Sequence, residues 1–169
     1  MDRATFDALV EDTVEKTANL LIAKGAEYAG DVDRLANFKR NAAKNQQTVL
    51  ETWQTYWGKH IDSINTYMAR VKNHAVELAL FELFEIHQDL ISRLPMPGAL
   101  SISDHEKLAV LADPVAFAKL VDHKLPTAMK EIDSTLSEPI EGRFHDNINY
   151  SFLCLALLKE VRTSAHPSL

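Results

Sequence analysis

T-W-Q-T-Y-W-G-K-H-I-D-S-I-N-T-Y-M-A-R-V, residues 52 to 71, is the stretch on which the fold class turns. Trp53, Trp57, Ile61, Ile64, Met68 and Val71 recur at steps of three and four, the spacing that puts side chains on one face of an α-helix. From Gln47 to Leu94 the only glycine is Gly58 and there is no proline, so nothing in that span forces a turn. Two long antiparallel helices, or one helix broken near Lys72 to His74, both fit. From Ala75 to Leu94 the apolar residues Leu78, Leu80, Phe81, Leu83, Phe84, Ile86, Leu90 and Ile91 occupy more than one face. That pattern suits a central helix or one that also packs on a second copy, so a homo-oligomer is expected.

Toward the N-terminus, Phe6, Val10, Val14, Ala18, Leu21 and Ile22 predict an amphipathic helix from about Asp2 to Lys24, with Gly25 as its stop. A turn-rich passage, Glu27 to Asp31, and a short helical piece around Leu35, Ala36 and Phe38 follow; a loop between rigid elements is a natural place for chemistry. Toward the C-terminus, Leu94-Pro95-Met96-Pro97-Gly98 is a break, and Ser103-x-x-Glu106 has the form of a capping box. Asp113-Pro114 reads as a cap with proline in the first turn, and Pro126 is expected to divide that helix from a piece at Met129 to Leu136. Ser137-Glu138-Pro139 opens a last helix to about Thr163, whose apolar centre, Tyr150 to Leu158, is expected to be buried. The whole predicts an all-α single domain, a bundle of about five to eight helices.

A length of 169 residues suffices for a sizeable core, and 46% hydrophobic with 25% charged residues is an ordinary globular balance. The net charge of −6 has the wrong sign for holding polymeric nucleic acid, although a local basic pocket for one nucleotide needs only a few cations. A single cysteine, Cys154, excludes an intramolecular disulfide and a cysteine zinc site and suits a reducing, cytoplasmic setting. No stretch has signal-peptide character or the apolar length of a membrane span, so no membrane partner is expected.

Three polar groups are candidates for chemistry. Arg143, His145, Asp146, Asn147 and Asn149 stand before and within the apolar run of the last helix, where polar groups need partners. Arg143, Asp146 and Asn149 share a face, either as an internal ion pair with satisfied amides or as a metal ligand with an amide and a cation beside a phosphate. Lys59 and Asp62 lie away from the tryptophan stripe, where a solvated pair is the plain reading, and His60 sits near the stripe, as core histidines do. Glu82, Glu85, His87 and Asp89 align carboxylates on one face, as magnesium sites and solvated helices both do. There is no glycine-rich phosphate loop, H-E-x-x-H or G-x-S-x-G.

The motifs K-G-A-E-Y-A-G from Lys24, R-L-A-N-F from Arg34, Y-W-G-K-H-I-D-S-I from Tyr56 and E-P-I-E-G-R-F-H-D-N-I-N-Y from Glu138 occur in this order. In this the chain resembles small helical bacteriophage proteins of the nucleotide-modification-associated type, themselves similar to MazG-like all-α nucleoside triphosphate pyrophosphatases. The resemblance covers residues 24 to 67 and 138 to 160, leaving about 70 to 136 as an insertion. It implies a bundle that grips a nucleotide's phosphates through Mg²⁺ and hydrolyses a triphosphate to monophosphate and pyrophosphate, in the host cytoplasm if the protein is phage-encoded. Carried onto this sequence, it makes Asp62 and Asp146 the catalytic metal ligands with Glu27 a third. Lys59 and Arg143 face phosphates, Asn149 reads sugar or base, and Tyr28 or Phe38 stacks on the base, with Lys24, Asn37 and Tyr150 also on the substrate side. The family's E-x-x-E followed by E-x-x-D is incomplete here: Glu82-x-x-Glu85 has no downstream E-x-x-D, and Asp146-x-x-Asn149 ends in an amide. A protein that sequesters a nucleotide without hydrolysis, and one that binds a partner through residues 75 to 94 and 100 to 136, are the alternatives.

Overall fold

A computed structural model describes residues 1–29, 33–93 and 113–165. Among the described residues the fold is all-α: α1 (Arg3–Ala29), α2 (Ala36–Asn45), α3 (Val49–Arg93), α4 (Pro114–Asp133) and α5 (Ile140–Ala165). The Ser103–Glu106 capping box and the Leu94–Gly98 break lie outside the described residues. No helix among those described is long and apolar enough to cross a membrane.

Three boundaries differ from expectation. Gly25 does not stop α1, which runs on to Ala29; a helix interior tolerates one glycine at a cost of about 1 kcal/mol. The expected division of residues 47 to 94 does not occur, and α3 is continuous for 45 residues through Lys72 to His74. Its start is a capping box absent from the sequence reading. The Thr48 backbone N–H donates to Glu51 Oε2 at 2.7 Å, and the Glu51 N–H donates to Thr48 Oγ1 at 3.1 Å. Pro126 sits inside α4 rather than between helices; proline leaves the Asp122 carbonyl without its helical donor, and Pro126 and Asp122 both lie on the exposed side of the helix. Asp113 caps α4 as expected, accepting from the Val115 N–H at 2.8 Å.

The chain forms two compact units, residues 1–64 with 138–169, and residues 65–137. In the second, Tyr67, Val71, Ala75, Ala79 and Leu83 make a buried stripe at four-residue steps on α3, and Ala128 of α4 is also fully buried. His74 joins the two helices there, its Nε2 lying 2.5 Å from Glu131 Oε2 and its Nδ1 3.2 Å from Glu77 Oε2. Glu82 pairs with Lys124, while Glu85 and His87 are exposed. Leu80, Phe81, Phe84 and Ile91 are exposed on other faces of α3.

In the first unit α1 packs on α2 and α5. Leu35, Phe38 and Leu157 form the core, with Val49, Leu50, Trp53, Tyr56, Tyr150 and Leu153 around it. The apolar run of α5 is buried on one side only: Leu157 is inside, whereas Phe152 and Leu155 are exposed, because a single helix turns just one stripe to its neighbours. The apolar stripe of α1 behaves similarly. Phe6, Val10, Val14 and Ile22 are exposed, while Thr17 is fully buried.

Candidate functional site

The inward side of α1 carries Thr17, Leu21 and Lys24, spaced four and three and therefore stacked along the helix. Thr17 Oγ1 shares a 2.8 Å hydrogen bond with His145 Nδ1 of α5, which holds the two helices in register. Two turns further on, Lys24 Nζ meets Asp146 Oδ1 at 2.5 Å. The pair is uneven: the lysine side chain is 43% exposed and the carboxylate 17%. The lysine therefore reaches toward solvent from a more sheltered acid.

These residues form one wall of a cavity of about 350 Å³, within the range of small-molecule sites. α1 supplies Leu21, Lys24 and Gly25; Arg34 lies just before α2, which supplies Asn37 and Phe38; α3 supplies His60; and α5 supplies Asp146, Asn149, Tyr150 and Leu153. Arg34 is placed by a missing side chain. A β-carbon on Gly25 would stand 2.5 Å from Arg34 Nη1, so the guanidinium occupies space that only glycine leaves free. Arg34 itself is exposed at the surface of the unit and makes no ion pair among the described residues.

Aromatic rings make the apolar side. Tyr150 lies against His60 with centroids 4.9 Å apart and meets Phe38 edge-on at 6.1 Å; Phe38 meets Tyr56 edge-on at 5.9 Å. Behind them Trp53 stacks on Trp57 at 5.2 Å and donates its indole N–H to the Tyr150 carbonyl at 2.6 Å. That carbonyl belongs to the helix stretch bearing Asp146 and Asn149, so the bond from α3 fixes where they stand.

Asn149 is the anomaly of the site. It is 4% exposed, and neither its amide nitrogen nor its amide oxygen has a partner. Leaving such groups unbonded costs about 1–3 kcal/mol for a buried donor or acceptor, and native interiors seldom carry one without a reason. His60 Nδ1 is likewise buried without a hydrogen bond, 3.7 Å from Asp146 Oδ2. Burial pushes the His60 imidazole below its ordinary range; Asp146 opposes this, and Arg143, Lys24 and Lys59 add to it. Burial likewise raises the Tyr150 phenol, with the Asp146 charge and Tyr56 acting in the same direction.

Of the residues expected from the sequence, the fold brings Lys24, Asn37, Phe38, Asp146, Asn149 and Tyr150 to this one cavity. Arg143 does not line it and pairs with Glu138 rather than with Asp146. Lys59 is exposed, its ammonium 6.0 Å from the Tyr56 ring centroid. Glu27 and Asp62 are exposed and off the wall, and the side chain of Tyr28 lies outside the described residues. Among the described residues no three His, Cys, Asp or Glu side chains group to hold a metal ion. The Glu27, Asp62 and Asp146 set implied for Mg²⁺ is thus not assembled, and Asp146, its one member on the wall, already faces Lys24. His60 and Arg34 join the site without having been singled out as ligand-facing. Arg34 lies inside the R-L-A-N-F motif, and the aromatic stripe beside His60 makes it read as a core histidine. Comparison with protein-family models, with curated proteins and with solved structures finds no match to this chain.

Proposed function

We propose that residues 1–64 with 138–169 bind a nucleotide or nucleotide-derived small molecule in this cavity. The observation that carries the reading is the unpartnered amide of Asn149. It offers one acceptor and two donors at a buried point of the wall, the complement of the hydrogen-bonding edge of a nucleobase. Tyr150, Phe38 and His60 supply the flat apolar surface that a base requires, and Lys24 and Arg34 supply cations for a phosphate. A buried polar edge and ring faces suit the base, and the more exposed cations suit the phosphate.

Hydrolysis to monophosphate and pyrophosphate, the activity the resemblance implies, is carried as the second arm of the test. Mg²⁺, when bound with a triphosphate, would offset phosphate charge and polarise the phosphoryl group, but among the described residues the three implied carboxylates are not gathered. Asp146 holds Lys24 in place, and Asn149 and Tyr150 orient the base. We take the protein to act in the cytoplasm and to self-associate through the exposed Leu80, Phe81 and Phe84 of α3; light scattering on the purified chain tests the latter.

A thermal-shift and calorimetric screen of nucleotides, with and without Mg²⁺, tests the reading, with pyrophosphate followed for each ligand. Saturable binding lost in Asn149→Leu supports it. No binding by any nucleotide, or full retention in that variant, sinks it.

A further inference from the structure

Resting on the nucleotide reading, the balance of charge on the wall narrows the class of ligand. Among the described residues its charged side chains are Lys24, Arg34 and Asp146: two cations less one carboxylate leave one positive charge. The carboxylate cannot be discounted, since Asp146 is only 17% exposed and one of its oxygens lies 2.5 Å from the Lys24 ammonium. A phosphate approaching Lys24 comes close to Asp146 as well. The neighbouring cations do little to alter this count. Arg143 is committed to Glu138, and Lys59 stands off the wall in solvent, where water and salt screen it.

A phosphodiester carries a single negative charge, equal to that balance, and a phosphomonoester about one and a half to two at neutral pH, no more than Lys24 and Arg34 carry between them. A triphosphate brings several charges against a wall whose described residues offer one in balance, and Asp146, the one described carboxylate there, already faces Lys24. Depth argues the same way. The cavity is near the lower end of the size range for ligand sites, and its cations stand at the exposed end while Asn149 is buried.

We infer that this site is selective for a nucleoside bearing one phosphate group, and that it takes this ligand without a divalent metal. A 5′-monophosphate and a cyclic monophosphate share that chemistry. They differ in phosphate charge and in the freedom of the sugar, and direct comparison separates them.

The test is calorimetric titration of the full chain in EDTA with nucleosides and with their 5′-monophosphates, 3′,5′-cyclic monophosphates and triphosphates, the triphosphates being repeated with Mg²⁺. The inference expects a one-phosphate form of some base to bind roughly tenfold or more tighter than both its nucleoside and its triphosphate in EDTA. Asp146→Asn, which removes the competing charge while keeping an oxygen to hold the Lys24 ammonium in place, should tighten that ligand several-fold. The inference is overturned if affinity climbs with phosphate number, if binding needs Mg²⁺, if the nucleoside alone binds as well, or if Asp146→Asn weakens the one-phosphate ligand. In those cases nucleotide binding itself still stands. Silence from every nucleotide in both buffers overturns both readings. The ligand series uses the unsubstituted chain, so it remains decisive even where the variant fails to fold.

Discussion

Arg34 lies across Gly25, its Nη1 filling the place where a β-carbon would project from α1. The glycine sits inside a helix, where it weakens the backbone, and beside a cavity, where it admits a cation. Gly25→Ala should therefore separate two properties. Helix propensity favours alanine by about 1 kcal/mol, and the displaced atom is the free end of a flexible side chain. Thermal stability should hold or rise, while affinity for the one-phosphate ligand falls as Arg34 leaves the wall. Melting curves and titration of the same variant check both halves.

Asn149→Leu repeats that opposition more sharply. Leucine has a similar volume and no polar atoms to leave unbonded, so the free protein should gain about 1 kcal/mol or more in urea denaturation, while nucleotide binding disappears. A marked loss of stability would instead mean that the amide is bonded in solution and serves packing.

His60 should make the first unit sensitive to acid. Its imidazole is held below the ordinary value of 6.5 in the folded chain, chiefly by burial. The unfolded chain then binds more protons between the two values, so stability rises with pH through that window. The contribution is whole above 6.5 and is lost as pH falls through the folded value. Urea denaturation at pH 5 to 7.5 should show the slope, and His60→Gln should flatten it.

His74 has the opposite sign. Its hydrogen bonds to Glu131 and then Glu77 raise its value above 6.5. Stability from this contact is complete below 6.5 and is lost as pH rises through the folded value. Protection of α4 amides, relative to their base-catalysed intrinsic exchange, should fall toward alkaline pH, with the dependence reduced in Glu131→Gln, which leaves the Glu77 contact.

Gln46 ends α2 in the left-handed region at φ 55°, the one non-glycine residue with positive φ among those described. Gln46→Gly relieves a steric cost of about 1 kcal/mol. A small rise in melting temperature with unchanged ligand affinity is expected, which makes it the control for the variants on the cavity wall.

Helix type was legible because it rests on local spacing: the step of Trp53, Trp57 and Ile61 reflects helix geometry whatever packs against it. The site was legible where polar residues interrupt an apolar run, as Asp146 and Asn149 do. Their partners were hidden, since the lysine facing Asp146 lies 122 positions away, and a reading confined to one helix pairs it with Arg143. The facing side of α1 was misjudged for a related reason. Phe6, Val10 and Val14 dominate the hydrophobic pattern, yet the inner surface keeps Leu21 of that stripe between Thr17 and Lys24, and a hydrophobicity pattern gives no weight to polar residues that pack. Gly25 and Pro126 likewise failed as boundaries because tertiary contact and solvent access offset what each costs a helix.

The stacked Trp53 and Trp57 are the only tryptophans in the chain, so all of its indole emission arises from one ring pair, of which Trp53 is bonded to the Tyr150 carbonyl beside the cavity. Light absorbed by this pair samples the strength of the Trp53 bond to that carbonyl and the polarity around it. A base settling beside Tyr150 perturbs both. Occupancy can therefore be followed as a shift in intrinsic fluorescence or near-ultraviolet circular dichroism, with no label attached and no residue changed.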